Sequence, residues 1–363
     1  MLNFPGQKLF FTISGFVLGT FLLLGNSAFS FLIKPVVVDV TPLPAQISQN
    51  FSGNIPEIKP EEISLILTGD IMLDRRVDLM MKAKNDYTFP FQKIAGELKE
   101  ADITFGNLEN PISDKGQKVG SIYSFRANPK SIEGLSFAGF DVLSLANNHA
   151  FDYGKSALED TLLRLKTAGI DYVGAGFNGK EAFSPIIKEI NGTKIGFLAY
   201  TDLGSVYWTA TESSSGLALI NLEYFENIKQ DIKKAKSQVD ILIVSLHSGE
   251  EYIQEPGQAQ INFAKSAIDE GADIVVGHHP HIVQRNEIYN GKYIFYSLGN
   301  FVFDQNFSPE TSQGQIVKVT IEDKKIKEAT PINIKINQYF QPELSDEAMA
   351  SSSTSPTLGG LVQ

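Results

Sequence analysis

Short apolar runs alternate with amphipathic helical patterns from residue 63 onward, and this alternation constrains the fold more than any other feature. Several runs are apolar at both alternating positions, which is typical of strands covered on both faces. The expected strands are Ile63–Thr68, Ile103–Asn107, Val142–Ala146, Ile195–Tyr200, Ile241–Leu246 and Ile274–Val276. The expected helices between them are Phe91–Glu100, Pro129–Ala138, Lys155–Ala168, Leu222–Ser237 and Pro256–Glu270. This order predicts an α/β domain.

The last third of the chain has a different pattern. Three segments, Lys292–Phe303, Gln315–Ile321 and Thr330–Gln338, carry strand patterns without long helices between them. They indicate antiparallel strands added to a parallel core, so we expect mixed sheets.

Four aspartates each stand directly before an expected strand: Asp102, Asp141, Asp240 and Asp273. Four carboxylates at equivalent positions resemble a functional set. They lie at strand beginnings, however, where polar turn residues are ordinary. We therefore predict a structural role for them.

The residues that follow the strands differ, because ligands in open α/β sheets bind beyond the carboxyl ends of the strands. The chain contains five histidines, and all of them follow expected strands: His149, His247, His278, His279 and His281. Asp70 and Glu109 also follow strands. Because the chain has no cysteine, a metal site would have to use His, Asp, Glu and Asn. The pattern predicts a divalent metal site.

Imidazole and carboxylate ligands are suited to binding Zn, Fe or Mn, and we expect the site to hold one or two ions. His279 and His281 flank Pro280, and in such a turn both rings could face one centre. Asp70 and Glu109 could bridge two ions, and metal-bound water becomes a nucleophile near neutral pH. A histidine outside the ligand set could protonate a leaving group. His278 is expected to point the other way and to hydrogen-bond nearby backbone.

Residues 9–33 carry no charge over 25 positions, which exceeds the ~20 residues needed to cross a bilayer. Lys8 lies on the short N-terminal side of this run, which favours an N-terminus inside the cytoplasm and a folded domain outside it. Two alternatives remain, a cleaved signal peptide and a buried helix. An anchor predicts a single-pass protein of the cell membrane, and a cleaved signal predicts a secreted one.

The chain divides into four expected parts. Residues 1–34 form the anchor or signal segment, 35–60 a Pro-rich linker, 61–340 the folded domain and 341–363 a disordered, Ser-rich tail. The formal charge of −11 excludes a typical nucleic-acid binder, because phosphate neutralisation needs an excess of Lys and Arg.

Six strand-end blocks together carry a family resemblance: Leu67–Arg75, Asn107–Glu109, Ala146–Gly154, His247–Glu250, Gly277–His281 and Ser297–Phe301. They resemble the CapA family of capsule-synthesis proteins associated with poly-γ-glutamate, over about residues 63–305. That family is similar to the calcineurin-like metallophosphoesterases. The resemblance implies a layered metallophosphatase-like sandwich of two mixed sheets flanked by helices, with a two-metal centre in the strand-end loops.

The resemblance also implies roles for individual residues. The metal ligands would be Asp70, Glu109, Asn148, His247, His279 and His281. Asp70 and His281 would serve one ion, and Glu109 would bridge to the second. His149 would be the proton donor, oriented by Asp152. The substrate side would be lined by Arg75, Glu250 and Asn300.

Two departures from the phosphoesterase pattern belong to this resemblance. Met72 stands where the first phosphoesterase motif has a histidine, and the arrangement Asn107-x-Glu109 replaces a bridging aspartate. Both departures favour the capsule branch.

Three functions follow as hypotheses. The first is a membrane-anchored extracytoplasmic component of poly-γ-glutamate synthesis or export with a metal-dependent, hydrolase-like site. Its partners would be the membrane, poly-γ-glutamate or a similar anionic polymer, and other capsule-synthesis membrane proteins. The second is a general metal-dependent phosphoesterase. The third is a non-catalytic polymer-binding or assembly factor.

Overall fold

A computed structural model describes residues 62–119, 121–221 and 225–345 of the protein. The predicted anchor or signal segment and the whole of the predicted linker lie outside these residues. No helix within the described ranges is long and apolar enough to span a membrane.

The first large sheet is mixed. Strand β1 (Ile63–Ile71) lies between the parallel strand β2 (Ile103–Leu108) and the antiparallel strand β14 (Gln313–Glu322). The strand order is β16-β15-β14-β1-β2-β3-β4, and β13 pairs in parallel with the end of β1. The remaining strands of this sheet are β3 (Val142–Ser144), β4 (Asp171–Val173), β13 (Asn300–Val302), β15 (Lys325–Ile336) and β16 (Pro342–Leu344).

The second large sheet has a parallel centre and antiparallel edges, in the order β11-β12-β10-β9-β7-β6. Its strands are β6 (Ile186–Ile190), β7 (Thr193–Thr201), β9 (Ile241–His247), β10 (Ile274–His278), β11 (Asn286–Tyr289) and β12 (Lys292–Phe295). Two short strands, β5 (Ala175–Gly176) and β8 (Gly216–Leu217), pair separately.

Seven α-helices connect the strands within the described residues. They are α1 (Arg75–Lys84), α2 (Ala95–Lys99), α3 (Ile132–Ala138), α4 (Lys155–Ala168), α5 (Gly179–Ala182), α6 (Phe225–Lys236) and α7 (Gln258–Asp269). Short 3₁₀ turns occupy Phe89–Phe91, Pro129–Ser131, Val206–Trp208 and Glu310–Ser312.

The core consists of three apolar layers. Side chains of both large sheets meet in the central layer, where the rings of Phe105 and Phe197 stack 5.6 Å apart. Helices α1–α4 cover the outer face of the first sheet, and α6 and α7 cover the second. The prediction of a mixed α/β fold with sheets flanked by helices is confirmed.

The predicted elements match the observed ones closely where the apolar signal is strong. Helix α4 has the predicted bounds, and all six early strands are present. Helix α1 is missing from the sequence prediction, because only Val77, Asp78 and Met81 are buried along it. Strand β16 lies in the range assigned to the disordered tail, so for residues 342–344 that prediction is corrected. The rest of the tail, from residue 346, lies outside the described residues.

The four aspartates that precede strands lie at the edge of the sheets opposite the histidines, and they stabilise that edge. Each carboxylate accepts a hydrogen bond of 2.8–2.9 Å from the backbone N–H of a neighbouring strand: Asp102 from Ser64, Asp141 from Thr104, Asp240 from Lys194 and Asp273 from Leu242. Their predicted structural role is confirmed.

Candidate metal centre

Sheet register places Asp70 in a row of polar side chains. Within the first sheet, Asp70 of β1 pairs with Asn107 on one side and Asn300 on the other. The Asn107 amide donates to Asp70 Oδ1 at 2.8 Å, and the backbone N–H of His279 donates to Asp70 Oδ2 at 3.1 Å. Asp70 is completely buried. A carboxylate held in this way keeps one orientation toward the second sheet.

Glu109 directly follows β2 and is completely buried. Neither of its carboxylate oxygens has a hydrogen-bond partner among the described residues. Its Oε1 faces three imidazoles instead, with the Nε2 atoms of His149, His247 and His281 at 3.9, 3.9 and 3.7 Å. A buried carboxylate without partners is costly, because its lost hydration is not replaced.

His247 is the last residue of β9 and is also completely buried. Its Nδ1 lies 3.2 Å from the Asn107 amide nitrogen, and its Nε2 lies 2.7 Å from Asn148 Oδ1. The Nε2 side of His247 and the Asn148 oxygen thus face each other beside Glu109. A shared cation would replace the hydrogen bond between them.

His279 and His281 stand on the turn after β10, on either side of Pro280. Both have left-handed backbone conformations, with φ of 98° and 59°. Such angles are unfavourable for non-glycine residues and tend to occur at functional sites. The two ring centroids are 5.8 Å apart, so the turn aims both imidazoles into the same region, as the sequence predicts.

His278 contradicts its prediction. It is the final residue of β10 and pairs with His247 in register, so its buried ring points between the sheets. Its Nδ1 lies 3.3 Å from Asp70 Oδ1, and its ring hydrogen-bonds no backbone group among the described residues. The imidazole is therefore a neighbour of the site carboxylate.

His149 is held by Asp152, which lies three residues further along the chain in the turn before α4. Its Nδ1 lies 2.7 Å from Asp152 Oδ2, which also accepts from the backbone N–H of Phe125 at 2.7 Å. Because a carboxylate accepts, the imidazole donates from Nδ1 and presents Nε2 toward Glu109. The structure thus brings the two side chains together, and the proton-donor role of His149 stays a prediction.

Burial sets the protonation of the centre. Burial and the neighbouring His279 hold the pKa of His247 well below its ordinary value, and burial and His281 lower the pKa of His279 to about 3. Burial and the charge of Asp70 raise the pKa of Glu109 well above its ordinary value. Burial alone would raise the pKa of Asp70, but His278 and His281 hold it well below the usual range. Neutral imidazoles are the form that binds metals.

The ligand atoms form overlapping groups that could hold a metal ion. Within each group the atoms lie within 4.8 Å of one another: Asp70, Glu109 and His281; Glu109, His247 and His279; Glu251, His279 and His281. Two ligand bonds of about 2 Å each can span the 3.7–3.9 Å between Glu109 and its imidazoles. The donor set and the unpartnered Glu109 carboxylate both fit a divalent cation.

A cavity of about 690 Å³ opens beside these groups. It is lined by Arg75, Asn148, His149, His281 and Asp304, among others. Arg75 has a left-handed φ of 51°, and its guanidinium lies 4.5 Å from the centre of the Phe125 ring and pairs with Asp304. Arg75 therefore borders the cavity, and its contact with substrate stays a prediction.

Two residues expected at the substrate side lie elsewhere. Glu250 is exposed and does not line the cavity, whereas its neighbour Glu251 does. Asn300 is completely buried, and its Oδ1 lies 3.0 Å from Nδ1 of His281. Since β13 pairs with β1 at this point, Asn300 orients the imidazole and does not face the cavity.

Further residues of the site were not singled out from the sequence. Asn147 donates to Asn107 at 3.2 Å and to the backbone of Leu108 at 2.8 Å, which ties the loop after β3 to β2. The sequence signal that could have identified Asn147 was its position in the strand-end block Ala146–Gly154. Met72, in the position of the missing histidine, is buried in the apolar core and takes no part in the ligand groups.

The amino-acid sequence of the chain matches a protein family and several known proteins. The model of the family "Bacterial capsule synthesis protein PGA_cap" matches residues 64–305. The chain is 36% identical over 283 residues to the capsule biosynthesis protein CapA of Bacillus anthracis, covering 76% of this chain and 68% of that protein. It is 34% identical over 313 residues to the PGA biosynthesis protein CapA of Bacillus subtilis, covering 82% and 81%. A probable polyglutamine synthesis accessory protein of Mycobacterium tuberculosis is 30% identical over 248 residues, covering 65% of each chain.

Proposed function

We propose, on the premise that this chain belongs to the bacterial capsule synthesis protein family PGA_cap, that it takes part in the synthesis or export of poly-γ-glutamate or a similar anionic polymer. The family match confirms the predicted resemblance to CapA proteins. Two relatives are named for capsule or PGA biosynthesis and a third for polyglutamine synthesis, which supports the polymer class.

The proposal includes a divalent metal centre in a metallophosphatase-like fold. The observation that carries it is the completely buried Glu109, whose carboxylate has no hydrogen-bond partner and faces three imidazoles. A cation would supply the missing partner. Imidazole and carboxylate donors suit Mn, Zn or Fe.

The residues around the centre have distinct tasks in this proposal. Asp70, Glu109, Asn148, His247, His279 and His281 would hold the ions. When bound, such ions activate water and polarise a carbonyl or phosphoryl oxygen. His149 would donate a proton from Nε2 to a leaving group, because Asp152 holds its Nδ1–H and stabilises the imidazolium. Arg75 would position an anionic group in the cavity.

The site would act outside the cytoplasm. The uncharged run of residues 9–33 supports a single-pass anchor, and the Pro-rich segment 35–60 supports a tether between the membrane and the domain. Signal cleavage and secretion would deliver the same domain to the same side. Other capsule-synthesis membrane proteins are the partners that such an arrangement implies.

Complementation of a deletion strain tests this function. The gene is deleted in its host, and surface polymer is measured with wild-type, Glu109→Gln and Glu133→Gln chains supplied in trans. Glu133 is an exposed carboxylate on α3 and serves as the control. We expect wild type and Glu133→Gln to restore polymer and Glu109→Gln to fail. Surface polymer that is unchanged by the deletion would contradict the proposal.

The same experiment separates the alternatives. If Glu109→Gln loses the metal but restores polymer, the chain is a non-catalytic assembly factor. If the purified, metal-loaded protein hydrolyses simple phosphate esters while the deletion leaves polymer unchanged, it is a general phosphoesterase.

A further inference from the structure

We propose that Glu251, which lies at the mouth of the cavity, is a further ligand of the metal centre. An anionic group of the substrate would replace Glu251 when substrate binds. This inference rests on the proposed function, since it takes the buried cluster to hold a divalent cation.

The position of Glu251 is the first observation. Its carboxylate forms a group with His279 and His281 whose ligand atoms all lie within 4.8 Å of one another. Asp70 and Glu109 are completely buried, whereas Glu251 is exposed and lines the cavity. Buried Glu109 would lose its only partner if it left a cation, and Asp70 is held in place by Asn107 and the backbone of His279. An exposed carboxylate returns to water at little cost. Glu251 is therefore the exchangeable carboxylate of the three.

The loop that carries Glu251 is fastened to the histidine turn itself. The backbone N–H of Tyr252 donates to the carbonyl of Pro280, the residue between the two histidines, at 2.9 Å. Tyr252 has a left-handed φ of 64°, and its hydroxyl accepts from Gln305 at 3.0 Å. Such a backbone angle persists only where the surroundings enforce it. The loop thus holds Glu251 beside the imidazoles, while Glu250 faces solvent.

An unpartnered imidazole nitrogen in the same ligand group is a second observation. Nδ1 of His279 is buried and has no hydrogen-bond partner among the described residues. Buried ring nitrogens are normally paired, so this one indicates a missing partner.

Charge identifies what would replace Glu251. Asp70, Glu109 and Glu251 contribute three negative charges to the centre. When a carboxylate of the substrate takes the place of Glu251, the charge around the cation stays the same. A neutral amide oxygen would leave the centre short of one negative charge. The exchange therefore favours a substrate that bears carboxylates, which agrees with a polyglutamate chain.

Neighbouring acids give a matched test. Mn²⁺ binding to the purified full-length chain is measured by calorimetry for wild type, Glu251→Gln and Glu250→Gln, with thermal melting as a check on folding. We expect Glu251→Gln to weaken Mn²⁺ binding at least tenfold and Glu250→Gln to change it less than twofold. Glutarate is then titrated into the Mn²⁺-loaded proteins, and it should bind Glu251→Gln more tightly than wild type, because the competing carboxylate is gone.

The outcomes distinguish this inference from the proposed function. If wild type binds Mn²⁺, Glu109→Gln does not, and Glu251→Gln matches wild type, the role of Glu251 is refuted while the metal centre stands. Weaker glutarate binding to Glu251→Gln would refute the exchange. If wild type binds no divalent metal, both proposals fail.

Discussion

Oε1 of Glu109 lies 3.7 Å from Nε2 of His281, although Glu109 follows a strand of the first sheet and His281 follows a strand of the second. Each sheet brings only part of the site to its carboxyl edge. The contact exists because the two sheets pack face to face with these edges together. The site is thus a product of the sandwich, and the packing of the sheets decides its geometry.

Replacing Glu109 should have opposite effects on metal binding and on the metal-free fold. We expect Glu109→Gln to weaken Mn²⁺ binding at least tenfold, because the carboxylate belongs to two ligand groups. The metal-free variant should be more stable than wild type at a pH above the raised pKa of Glu109, because Gln carries no charge that burial would penalise. Calorimetry and urea unfolding measure the two effects. Unchanged metal binding would show that Glu109 is not a ligand.

Replacing His149 should separate chemistry from metal binding. We expect His149→Gln to retain Mn²⁺ binding, because His149 belongs to none of the ligand groups, but to lose polymer production, because Nε2 is the predicted proton donor. Asp152→Asn should give a partial loss, since an amide stabilises the imidazolium less well. The exposed Asp114→Asn is the control. Normal polymer production with His149→Gln would remove the proton-donor role.

The buried histidines should make the metal-free protein sensitive to acid. Because the pKa of His279 falls from 6.5 to about 3 on folding, the unfolded chain binds its proton first as the pH drops. The free energy of unfolding should therefore fall as the pH falls from about 6.5 toward 3, by up to about 1.4 kcal/mol per pH unit for this residue. The raised pKa of Glu109 acts in the opposite direction, since its stabilising contribution is present at low pH and is lost as the pH rises.

The comparison of wild type with His279→Asn isolates that contribution. Urea unfolding in the presence of a chelator, between pH 4 and pH 7, should give a shallower pH dependence for the variant. Equal slopes for the two proteins would show that His279 is not kept neutral by the fold.

Gly69 precedes Asp70, and its backbone lies against the strand region that carries Asn300. A Cβ at residue 69 would stand 2.0 Å from the carbonyl oxygen of Gly299. We expect Gly69→Ala to destabilise the protein by about 2 kcal/mol or more and to weaken metal binding, because β1 must shift. Gly96→Ala is the matched control, since nothing lies within 4 Å of that position. Equal melting temperatures for the two variants would contradict this packing.

The fold was predictable from sequence where burial is two-sided. Apolar runs such as Ile241–Leu246 predict strands that are covered on both faces, and β9 is buried along its whole length. Helix α1 was not predictable in this way, since few of its side chains are buried. The meeting of the histidines followed from the rule that parallel strands end at one edge.

Three site residues show what sequence could not give. The orientation of His278 depends on strand register, which places it level with His247. Asn300 orients His281 because β13 pairs with β1, a non-local contact that no motif encodes. The choice between Glu250 and Glu251 depends on the path of the loop after β9, which places Glu251 at the cavity and only the folded chain reveals.

The most direct test of the account is an anomalous diffraction experiment on crystals of the full-length protein grown with Mn²⁺. The account predicts an anomalous peak about 2 Å from the carboxylate of Glu109 and from the ring nitrogens of His247, His279 or His281. A fully ordered site with no peak among these side chains, at saturating Mn²⁺ or Zn²⁺, would contradict it.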